Sequence, residues 1–276
     1  MRTIRAAGVA IPALGLGTWR LAGAECADIV ARALGLGYRH VDTAEMYGNE
    51  REVGEGLKAS GVPRADVFVT TKVWHEHLEP RALWAAAEAS LERLGLDFVD
   101  LYLIHWPNPA VPLELTMDAL CEVRRRGWAK AIGVANFPSA LLDRAVALST
   151  EPLAANQVEY HPFLSQAPVL EACREHGMAL TAYCPIAKGK VAEAPAIREI
   201  AAARGLTPAQ VALAWLVGQR NVAAIPKTAT PARLAENLAA ADVVLGEAEM
   251  ARIAALGSPA GRLVSPTFAP DWDHAG

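Results

Sequence analysis

Short apolar runs along the chain alternate with longer stretches in which apolar residues recur every three or four positions. The run VFVTTKV and the series Leu83, Ala87, Leu91 and Leu94 illustrate the two patterns. Such short runs are typical of buried strands, and the longer stretches are typical of amphipathic helices. The strands are predicted at 14–19, 39–44, 67–73, 99–106, 130–137, 154–160, 179–185 and 222–227. The helices are predicted at 25–35, 49–60, 80–94, 113–127, 139–148, 167–176, 195–204, 207–219 and 231–240.

The alternation of these elements indicates the fold class. Glycines near the predicted helix ends and prolines near several helix starts support the boundaries. Strands that alternate with helices eight times predict parallel β/α units, which close most naturally into a (β/α)₈ TIM barrel. An open doubly wound sheet would carry a Gly-x-Gly-x-x-Gly turn after its first strand, and segment 15–20 lacks the third glycine. We therefore expect one α/β barrel domain over residues 1–276.

The two ends of the chain carry expectations of their own. Residues 2–14 are expected to form an N-terminal hairpin that covers the floor of the barrel. The segment from Ser258 to Gly276 is rich in Pro, Asp and Gly, and a final helix followed by irregular chain is predicted there.

Composition excludes several classes of partner. The formal net charge is −4 and the isoelectric point is about 6.0, so no basic excess points to nucleic acid or to an anionic membrane surface. No apolar run reaches the roughly 18–20 residues that a membrane helix needs, and the N-terminus lacks a signal-peptide core. The four cysteines, Cys26, Cys121, Cys173 and Cys184, form no Cys-x-x-Cys pair. A reduced cytoplasmic protein is therefore expected.

Polar side chains recur at the ends of the predicted strands. Asp42, Lys72, His105, Asn136, Gln157, Tyr183 and Lys227 lie at or near the ends of strands 2 to 8, and Tyr47 lies in the loop after strand 2. In a parallel barrel all these ends open onto one face, where barrel active sites are built. Each residue alone has an ordinary explanation in packing or capping, but their joint placement predicts a single polar pocket.

The residue types in this pocket suit the reduction of a carbonyl group. A hydride donor and an acid are required, and Tyr47 is the candidate acid. A nearby Lys72 ammonium is expected to lower the pKa of the phenol from its usual value of about 10. Asp42 would keep Lys72 charged and oriented, and a neutral His105 would orient the carbonyl oxygen. Such acid–base assistance typically contributes about 10² to 10⁴ in rate.

Six segments in these regions resemble the successive signatures of aldo-keto reductases. They are GYRHVDTAEMYGNEREVGEGL, VFVTTKVW, VDLYLIHWP, AIGVANF, NQVEYHP and IPKTATPARLAENL, and together they cover nearly the whole chain. The compact length and the ending GRLVSPTFAPDWD resemble the prokaryotic 2,5-diketo-D-gluconate reductases, especially the B-type enzymes. The resemblance implies an NADPH-dependent oxidoreductase that reduces small aldehydes and ketones. Candidate substrates are 2,5-diketo-D-gluconate, methylglyoxal, other small dicarbonyls and aromatic aldehydes.

The resemblance also implies roles for individual residues. Tyr47 would be the general acid, Lys72 and Asp42 its tuning pair, and His105 the residue that orients the substrate. Nicotinamide contacts would fall on Asn136, Gln157 and Tyr183, with Gly17, Thr18 and Trp19 near the mouth. Lys227, Thr228, Arg233 and Asn237 would hold the 2′-phosphate and adenine end. Two departures are Ala135 and Cys184, where the family usually has serine, so one contact to the carboxamide is expected to be lost.

The segment 227–237 supports an anion site independently of the resemblance. Thr230 can cap a helix that begins at Pro231, and a helix N-terminus attracts anions. Arg233, Glu236 and Asn237 would then share one helix face. The alternative is a surface helix with an Arg233–Glu236 ion pair, and the residues alone leave it open.

Three tryptophans lie near the ends of predicted strands, close to the polar residues of the pocket. Trp19, Trp74 and Trp106 are expected to line the substrate pocket, and no metal site is expected from the segment WHEH at 74–77.

A metal-dependent barrel hydrolase or lyase around Asp42, His105 and His161 stays open, although it gives Tyr47 and Lys72 no role. A non-catalytic NADPH-binding subunit also stays open, although the intact reactive set favours an enzyme. The resemblance favours a monomer.

Overall fold

A computed structural model describes residues 2–273, in which strands and helices alternate along the chain. The strands are β1 Thr3–Ala6, β2 Val9–Pro12, β3 Leu16–Gly17, β4 His40–Asp42, β5 Phe68–Val73, β6 Val99–Ile104, β7 Ala129–Ala135, β8 Leu153–Glu159, β9 Ala179–Tyr183 and β10 Val222–Ala224. The α-helices are α1 Gly23–Leu36, α2 Glu50–Ala59, α3 Pro80–Leu94, α4 Leu113–Arg125, α5 Ser139–Leu148, α6 Ala167–Glu175, α7 Pro195–Arg204, α8 Pro208–Gly218, α9 Pro231–Ala239 and α10 Glu247–Ala254. Met1 and residues 274–276, which the predicted domain includes, lie outside the described residues.

Strands β3 to β10 form one parallel sheet in which each strand pairs with its neighbour in sequence. The sheet closes on itself, because Gly15 N donates to Ala224 O at 2.9 Å and Gly17 N donates to Pro226 O at 3.1 Å. At Gly17 a Cβ atom would lie 2.8 Å from Ile225 O, so only glycine allows this approach of the two chains. The predicted (β/α)₈ barrel is confirmed.

Local sequence accounts for many of the boundaries. Pro80, Pro208 and Pro231 occupy the first position of α3, α8 and α9, where no N–H bond is lost. Gly95 ends α3 in a left-handed conformation with φ of 65°. Thr207 caps α8 through a reciprocal pair of hydrogen bonds with Gln210. The predicted helices are therefore present, with ends shifted by a few residues.

Several strands are shorter than predicted, and this matters for the site. Runs expected at 14–19, 39–44 and 222–227 pair only over Leu16–Gly17, His40–Asp42 and Val222–Ala224. Backbone pairing still continues just past these strands, since Thr18 N donates to Asp42 O at 3.0 Å and Thr43 N donates to Thr70 O at 2.9 Å. The residues that follow the strands are thereby held in place at the mouth of the barrel.

The first two strands seal the opposite end of the barrel. β1 and β2 pair antiparallel with Ile4 opposite Ile11, as the predicted hairpin requires. Ile4, Ala6 and Ile11 are buried in one cluster with inward-facing residues near the starts of the barrel strands, among them Phe68 and Leu101. Burial of this apolar surface stabilises the floor and leaves the carboxyl ends of the strands as the open face.

The prediction of a helix beginning near Ser258 is wrong. Within the described part of that segment, the only helical turn is a short 3₁₀ helix at Pro259–Gly261, and the last α-helix is α10, which lies earlier and was not predicted. Pro259, Pro266 and Pro270 recur too closely for a helix to continue between them. We call residues 258–273 the tail.

None of the helices within residues 2–273 is by itself long and apolar enough to cross a membrane. Helices α7 and α8 reach that length and apolar content only when they are taken together, and the chain bends by 95° between them.

Candidate active site

The strand ends surround a cavity of about 400 Å³, within the range of small-ligand sites. Its lining contains most of the residues predicted for the site. The lining comprises Gly17, Thr18, Trp19, Arg20, Asp42, Met46, Tyr47, His105, Trp106, Asn136, Gln157, Tyr183, Cys184, Pro185, Ile186, Lys188, Ile225, Lys227 and Val264. The geometry therefore brings the strand-end residues together, as the sequence predicts.

Lys72 lies beneath this cavity and connects two of its polar groups. The Lys72 Nζ donates to Asp42 Oδ1 at 2.5 Å and to the Thr43 carbonyl at 2.8 Å. The Tyr47 hydroxyl lies 3.4 Å from the same nitrogen. Lys72 and Asp42 are almost completely buried, so little water screens the interaction between their charges. A phenol, an ammonium and a carboxylate therefore form one connected group.

Hydrogen bonds fix Asp42 from two further sides. Gln157 Nε2 donates to Asp42 Oδ2 at 2.6 Å, so each carboxylate oxygen has a partner. The Thr18 hydroxyl donates to the backbone carbonyl of Asp42 at 3.0 Å. Asn49 in turn donates to the carbonyls of Thr18 and Leu21 and ties the two loops together. The carboxylate has little freedom to turn away from Lys72.

The electrostatics of Tyr47 differ from the prediction. Burial raises the pKa of the Tyr47 phenol well above 10, and the Asp42 charge raises it further. Burial also lowers the pKa of Lys72, while Asp42 opposes that change by favouring the ammonium. The expectation that Lys72 lowers the phenol pKa in the free protein is wrong, because desolvation of the phenolate outweighs the single nearby cation.

His105 is held as a neutral imidazole at the wall of the cavity. Burial lowers the pKa of His105 well below 6.5, and the charges of Lys72 and His75 lower it further. Its Nδ1 is buried without a hydrogen-bond partner, which leaves Nε2 as the nitrogen available to a ligand. Edge-on contacts with Tyr47 and Trp74, with ring centroids 5.7 and 5.3 Å away, hold the ring in place.

A second group of polar side chains lies next to His105, at the ends of β7 and β9. Asn136 has a positive φ of 62° at the end of β7, and its Nδ2 donates to the His105 carbonyl at 2.9 Å. The Tyr183 hydroxyl donates to Asn136 Oδ1 at 2.8 Å. Ala135 is completely buried in β7, and Cys184 has a positive φ of 54°. Ala135 and Cys184 thus lie next to Asn136 and Tyr183 in the chain, and the hydrogen bond between Asn136 and Tyr183 is still formed.

These side chains match the polar groups of a nicotinamide. Asn136 uses one of its two amide hydrogens, and Gln157 keeps its amide oxygen free among residues 2–273. A donor and an acceptor side by side suit the carbonyl and amino group of a carboxamide. The aromatic ring of Tyr183 lies beside them on the same wall.

The cationic segment after β10 continues from this wall. Lys227 lines the cavity, whereas Thr228, Arg233 and Asn237 lie outside its lining on the adjoining turn and on α9. Thr228 and Asn237 are buried, and Lys227 and Arg233 are exposed. Neither cation forms an ion pair with any other described residue, so both stay available to an anion.

Two details of this segment differ from the sequence predictions. Thr230 occupies the position before α9, but its side chain makes no capping hydrogen bond. Instead, the Thr230 N–H donates to the Thr228 hydroxyl at 3.0 Å, because the turn places Thr228 within its reach. The alternative Arg233–Glu236 pair is not formed either, since Glu236 accepts from the Thr207 hydroxyl at 2.7 Å.

The three tryptophans do not contribute equally. Trp19 and Trp106 line the cavity, and Trp19 is 44% exposed at its mouth. Trp74 is absent from the lining, and its ring packs edge-on against His105 and against Phe268 of the tail, with ring centroids 5.3 and 5.6 Å away. The prediction that all three tryptophans line the pocket is therefore wrong for Trp74, because its ring packs against these aromatic neighbours instead.

Sequence reasoning missed other residues at the site. Met46, Ile186, Lys188 and Val264 line the cavity, and Glu45 fixes the turn that carries Tyr47. Glu45 accepts a hydrogen bond from Trp74 N at 2.8 Å and pairs with His77 at 2.8 Å. Only the position of Glu45, two residues before Tyr47, could have marked it in the sequence.

The residues of the alternative metal site are not assembled. His161 pairs with Glu159 at 3.0 Å, and Asp42 is occupied by Lys72 and Gln157. Over the part of the chain that the structure describes, no three His, Cys, Asp or Glu side chains are grouped so that they could hold a metal ion.

Comparison with known proteins agrees with this geometry. Residues 13–258 match the model of the Aldo/keto reductase family. Methylglyoxal reductase DkgB of Salmonella typhimurium (strain LT2) is 42% identical over 267 residues, which cover 95% of this chain and 99% of that protein. The 9,11-endoperoxide prostaglandin H2 reductase of Trypanosoma cruzi (strain CL Brener) is 42% identical over 250 residues, which cover 89% and 87% of the two chains.

A solved structure shows the same architecture. A protein provisionally named 2,5-diketo-D-gluconic acid reductase B is 50% identical, has a TM-score of 0.97, and covers 99% of this chain and 98% of its own. The family model spans most of the chain, and these similarities extend over nearly its full length. The chain therefore belongs to the aldo/keto reductase family, whose members are oxidoreductases that act on carbonyl groups.

Proposed function

We propose that the protein is an NADPH-dependent reductase of small aldehydes and ketones, with Tyr47 as the general acid. The observation that carries this proposal is the position of Lys72 Nζ, 2.5 Å from Asp42 and 3.4 Å from the Tyr47 hydroxyl, at the base of a cavity. Aldo-keto reductases generally use NAD(P)H, and the amide pair of Asn136 and Gln157 supports a nicotinamide at this wall.

The side chains of the cavity would divide the work of the reaction. Asn136, Gln157 and Tyr183 would hold the nicotinamide of NADPH, which would supply hydride to the carbonyl carbon of the substrate. The Tyr47 hydroxyl donates its proton to the carbonyl oxygen as negative charge develops there. The neutral His105 holds that oxygen through Nε2, which is the ring nitrogen left free for a ligand.

The raised pKa of Tyr47 fits this role. A phenol whose pKa lies above 10 is protonated at neutral pH, so the proton to be donated is present from the start. After transfer, Lys72 Nζ lies close enough to stabilise the new phenolate. Asp42 prevents Lys72 from turning away, and it does so without contact to the substrate.

The preference for NADPH over NADH rests on the segment after β10. Lys227 and Arg233 supply two cations that form no ion pair within residues 2–273, beside the start of α9, where backbone N–H groups also favour an anion. A 2′-phosphate distinguishes the two cofactors and would be recognised by this charge. Thr228 and Asn237 would contribute polar contacts at the same end.

The substrate is proposed only as a class. The name of the Salmonella relative points to methylglyoxal, and that of the solved structure points to 2,5-diketo-D-gluconate. A relative of equal identity is named for a prostaglandin endoperoxide, so identity at this level does not select one substrate. A cavity of about 400 Å³ with Trp19 and Trp106 as walls suits small dicarbonyls and aldehydes.

The test is the oxidation of NADPH by the purified protein over a panel of carbonyl compounds, repeated with NADH. The panel contains methylglyoxal, 2,5-diketo-D-gluconate and an aromatic aldehyde. We expect turnover of at least one compound, faster with NADPH and unaffected by a chelator. Chelator-sensitive activity without NADPH would favour the metal enzyme, and NADPH fluorescence changes without turnover would favour a non-catalytic binding subunit.

We also propose that the protein acts in the cytoplasm as a monomer without a nucleic-acid or membrane partner. The acidic net charge of −4 supports the absence of such polyanionic partners. Size-exclusion chromatography with light scattering measures the oligomeric state, and a stable dimer would contradict this part of the proposal.

A further inference from the structure

The tail lies against the mouth of the barrel and is held there by hydrogen bonds near both of its ends. Near its end, Asp273 accepts hydrogen bonds from Ser139 N at 2.8 Å and from Ser139 Oγ at 2.7 Å, at the start of α5. Near its beginning, it contacts Glu159 at the end of β8. Between these points, Phe268 packs edge-on against Trp106, a residue of the cavity wall.

Glu159 binds the tail through its carboxylate. Its side chain is completely buried, and Oε1 accepts from Leu263 N at 2.8 Å while Oε2 accepts from Val264 N at 2.9 Å. These two amides follow Glu159 by 104 and 105 residues, so the contact is not a local turn. A buried carboxylate that accepts backbone N–H groups is a strong and directional anchor.

His161 supplies a third donor to the same carboxylate. Its Nε2 lies 3.0 Å from Glu159 Oε1, and its Nδ1 accepts from Phe163 N at 3.3 Å. Because Nδ1 is an acceptor, the ring proton must lie on Nε2, and a neutral His161 donates to Glu159. The orientation of the carboxylate is therefore fixed by a residue that does not belong to the tail.

The backbone of the tail also fits closely against the loop after β8. Ser258 N donates to Phe163 O at 3.1 Å. At Gly261 a Cβ atom would overlap the same carbonyl at 1.7 Å, so only glycine fits at this point. Residues 258 and 261 thus fix the position of the tail against this loop, just before Leu263 and Val264 reach Glu159.

These contacts end at a residue of the cavity. Val264 lines the cavity that contains Tyr47 and His105, and its own N–H is one of the two that Glu159 accepts. We propose that Glu159 is a positioning residue that fixes Val264 as a wall of the substrate site and so determines how tightly small carbonyl compounds are held. Glu159 itself does not touch the reacting atoms, and this inference rests on the proposed reductase function.

The variant Glu159→Gln tests the proposal with nearly the same side-chain volume. An amide presents one oxygen and one NH₂ group, so at least one of the two backbone N–H groups loses its acceptor. We expect faster amide hydrogen exchange at Leu263 and Val264, and a KM for methylglyoxal raised by about tenfold with kcat changed by less than about threefold. Glu159→Asp, which keeps both acceptor oxygens on a shorter side chain, should give an intermediate KM.

Two comparisons separate this effect from a general loss of stability. Asp100→Asn alters another buried carboxylate with several donors, far from the tail, and should leave the KM unchanged. Val264→Ala should raise the KM by itself, and its effect should not add to that of Glu159→Gln, because both act on the same wall.

The exchange rates and the KM values together support or overturn the positioning role of Glu159. Unchanged exchange at Leu263 and Val264, or faster exchange with an unchanged KM, overturns the proposal, and so do additive effects of the two variants. If the wild-type protein reduces no carbonyl compound but Glu159→Gln still accelerates exchange at these amides, the proposed function fails while the positioning of the tail by Glu159 stands.

Discussion

The two ends of the barrel each contain a buried aspartate, and the two are used differently. At the floor, Asp100 accepts from Val69 N at 3.0 Å and pairs with Arg64 and Lys130, whose side chains are 24% and 46% exposed. At the mouth, Asp42 pairs with Lys72, which is completely buried. The floor pairs a carboxylate with hydrated cations, whereas the mouth keeps its cation away from water.

The fold accepts the larger electrostatic cost at the mouth. A fully buried ion pair often contributes little net stability, because both charges lose their hydration. The Asp100 pairs avoid much of this cost, so they suit a structural role. The Lys72 ammonium is held 3.4 Å from a hydroxyl at an open cavity, so the cost at the mouth is better explained by chemistry than by stability.

Removal of one hydroxyl group at the mouth should have the largest effect. Tyr47→Phe deletes the proposed acid, and we expect kcat to fall by about 10² to 10⁴, with NADPH affinity within a few-fold of the wild type. Tyr102→Phe is the matched control, because its buried hydroxyl has no hydrogen-bond partner and its loss should leave kcat unchanged. Full activity of Tyr47→Phe would remove the proposed mechanism.

Exchange of each aspartate for asparagine tests the comparison directly. Asp42→Asn leaves Lys72 without its counter-ion, and we expect kcat to fall by about 10²-fold. Asp100→Asn should lower the free energy of unfolding by only about 1 kcal/mol, because the cations that it leaves unpaired are partly exposed to water, and it should leave kcat and KM unchanged. Steady-state kinetics and urea unfolding measure the two quantities. Equal kinetic losses in both variants would show that the two ends do not differ in function.

The pH dependence of stability should depend on a buried histidine at each end of the barrel. Burial lowers the folded-state pKa of His105 at the mouth and of His40 near the floor hairpin below 6.5. As the pH falls below 6.5, the unfolded chain binds these protons first, so stability decreases until the folded-state pKa is reached. Each histidine should contribute up to about 1.4 kcal/mol per pH unit to the slope.

Glutamine variants separate the two histidines. His105→Gln and His40→Gln should each flatten the dependence of the urea unfolding free energy on pH below 6.5. Only His105→Gln should also reduce kcat, because His40 contacts Pro12 and Thr70 rather than the cavity. An unchanged slope in both variants would contradict the assignment of neutral, buried rings.

The smallest effect is expected at the exposed cations. Arg233→Ala removes one phosphate contact of about 1 kcal/mol, so the KM for NADPH should rise about fivefold while the KM for NADH stays unchanged. Arg198→Ala, which removes another exposed arginine from helix α7, should change neither KM. A similar increase for both cofactors would place Arg233 away from the 2′-phosphate.

Much of the fold could be predicted because each β/α unit carries its own periodicity. The run Phe68–Val73 and the helix Pro80–Leu94 are marked by local apolar spacing and by a proline. The tail could not be predicted in this way. Its conformation depends on Glu159 and Ser139, residues more than 100 positions away, and no local periodicity encodes such contacts.

The positions of the site residues could be predicted from the sequence better than their pKa values. Asp42, Lys72 and His105 follow from the rule that strand ends share one face of a barrel. The direction of the Tyr47 pKa did not follow, because burial by the surrounding loops outweighs the adjacent ammonium. Trp74 was misplaced for a related reason, since its packing against His105 and Phe268 is visible only in the folded structure.

The hydrogen bonds from Gly15 to Ala224 and from Gly17 to Pro226 join early and late parts of the sequence. During synthesis, a nascent chain that has not yet emerged beyond Pro226 cannot make this seam. Gly17 and Lys227, which share the lining of the cavity, then belong to separate pieces. The cavity can therefore be completed only after most of the chain has been made, and a dinucleotide that contacts both sides of the seam would stabilise the closed barrel by its binding free energy.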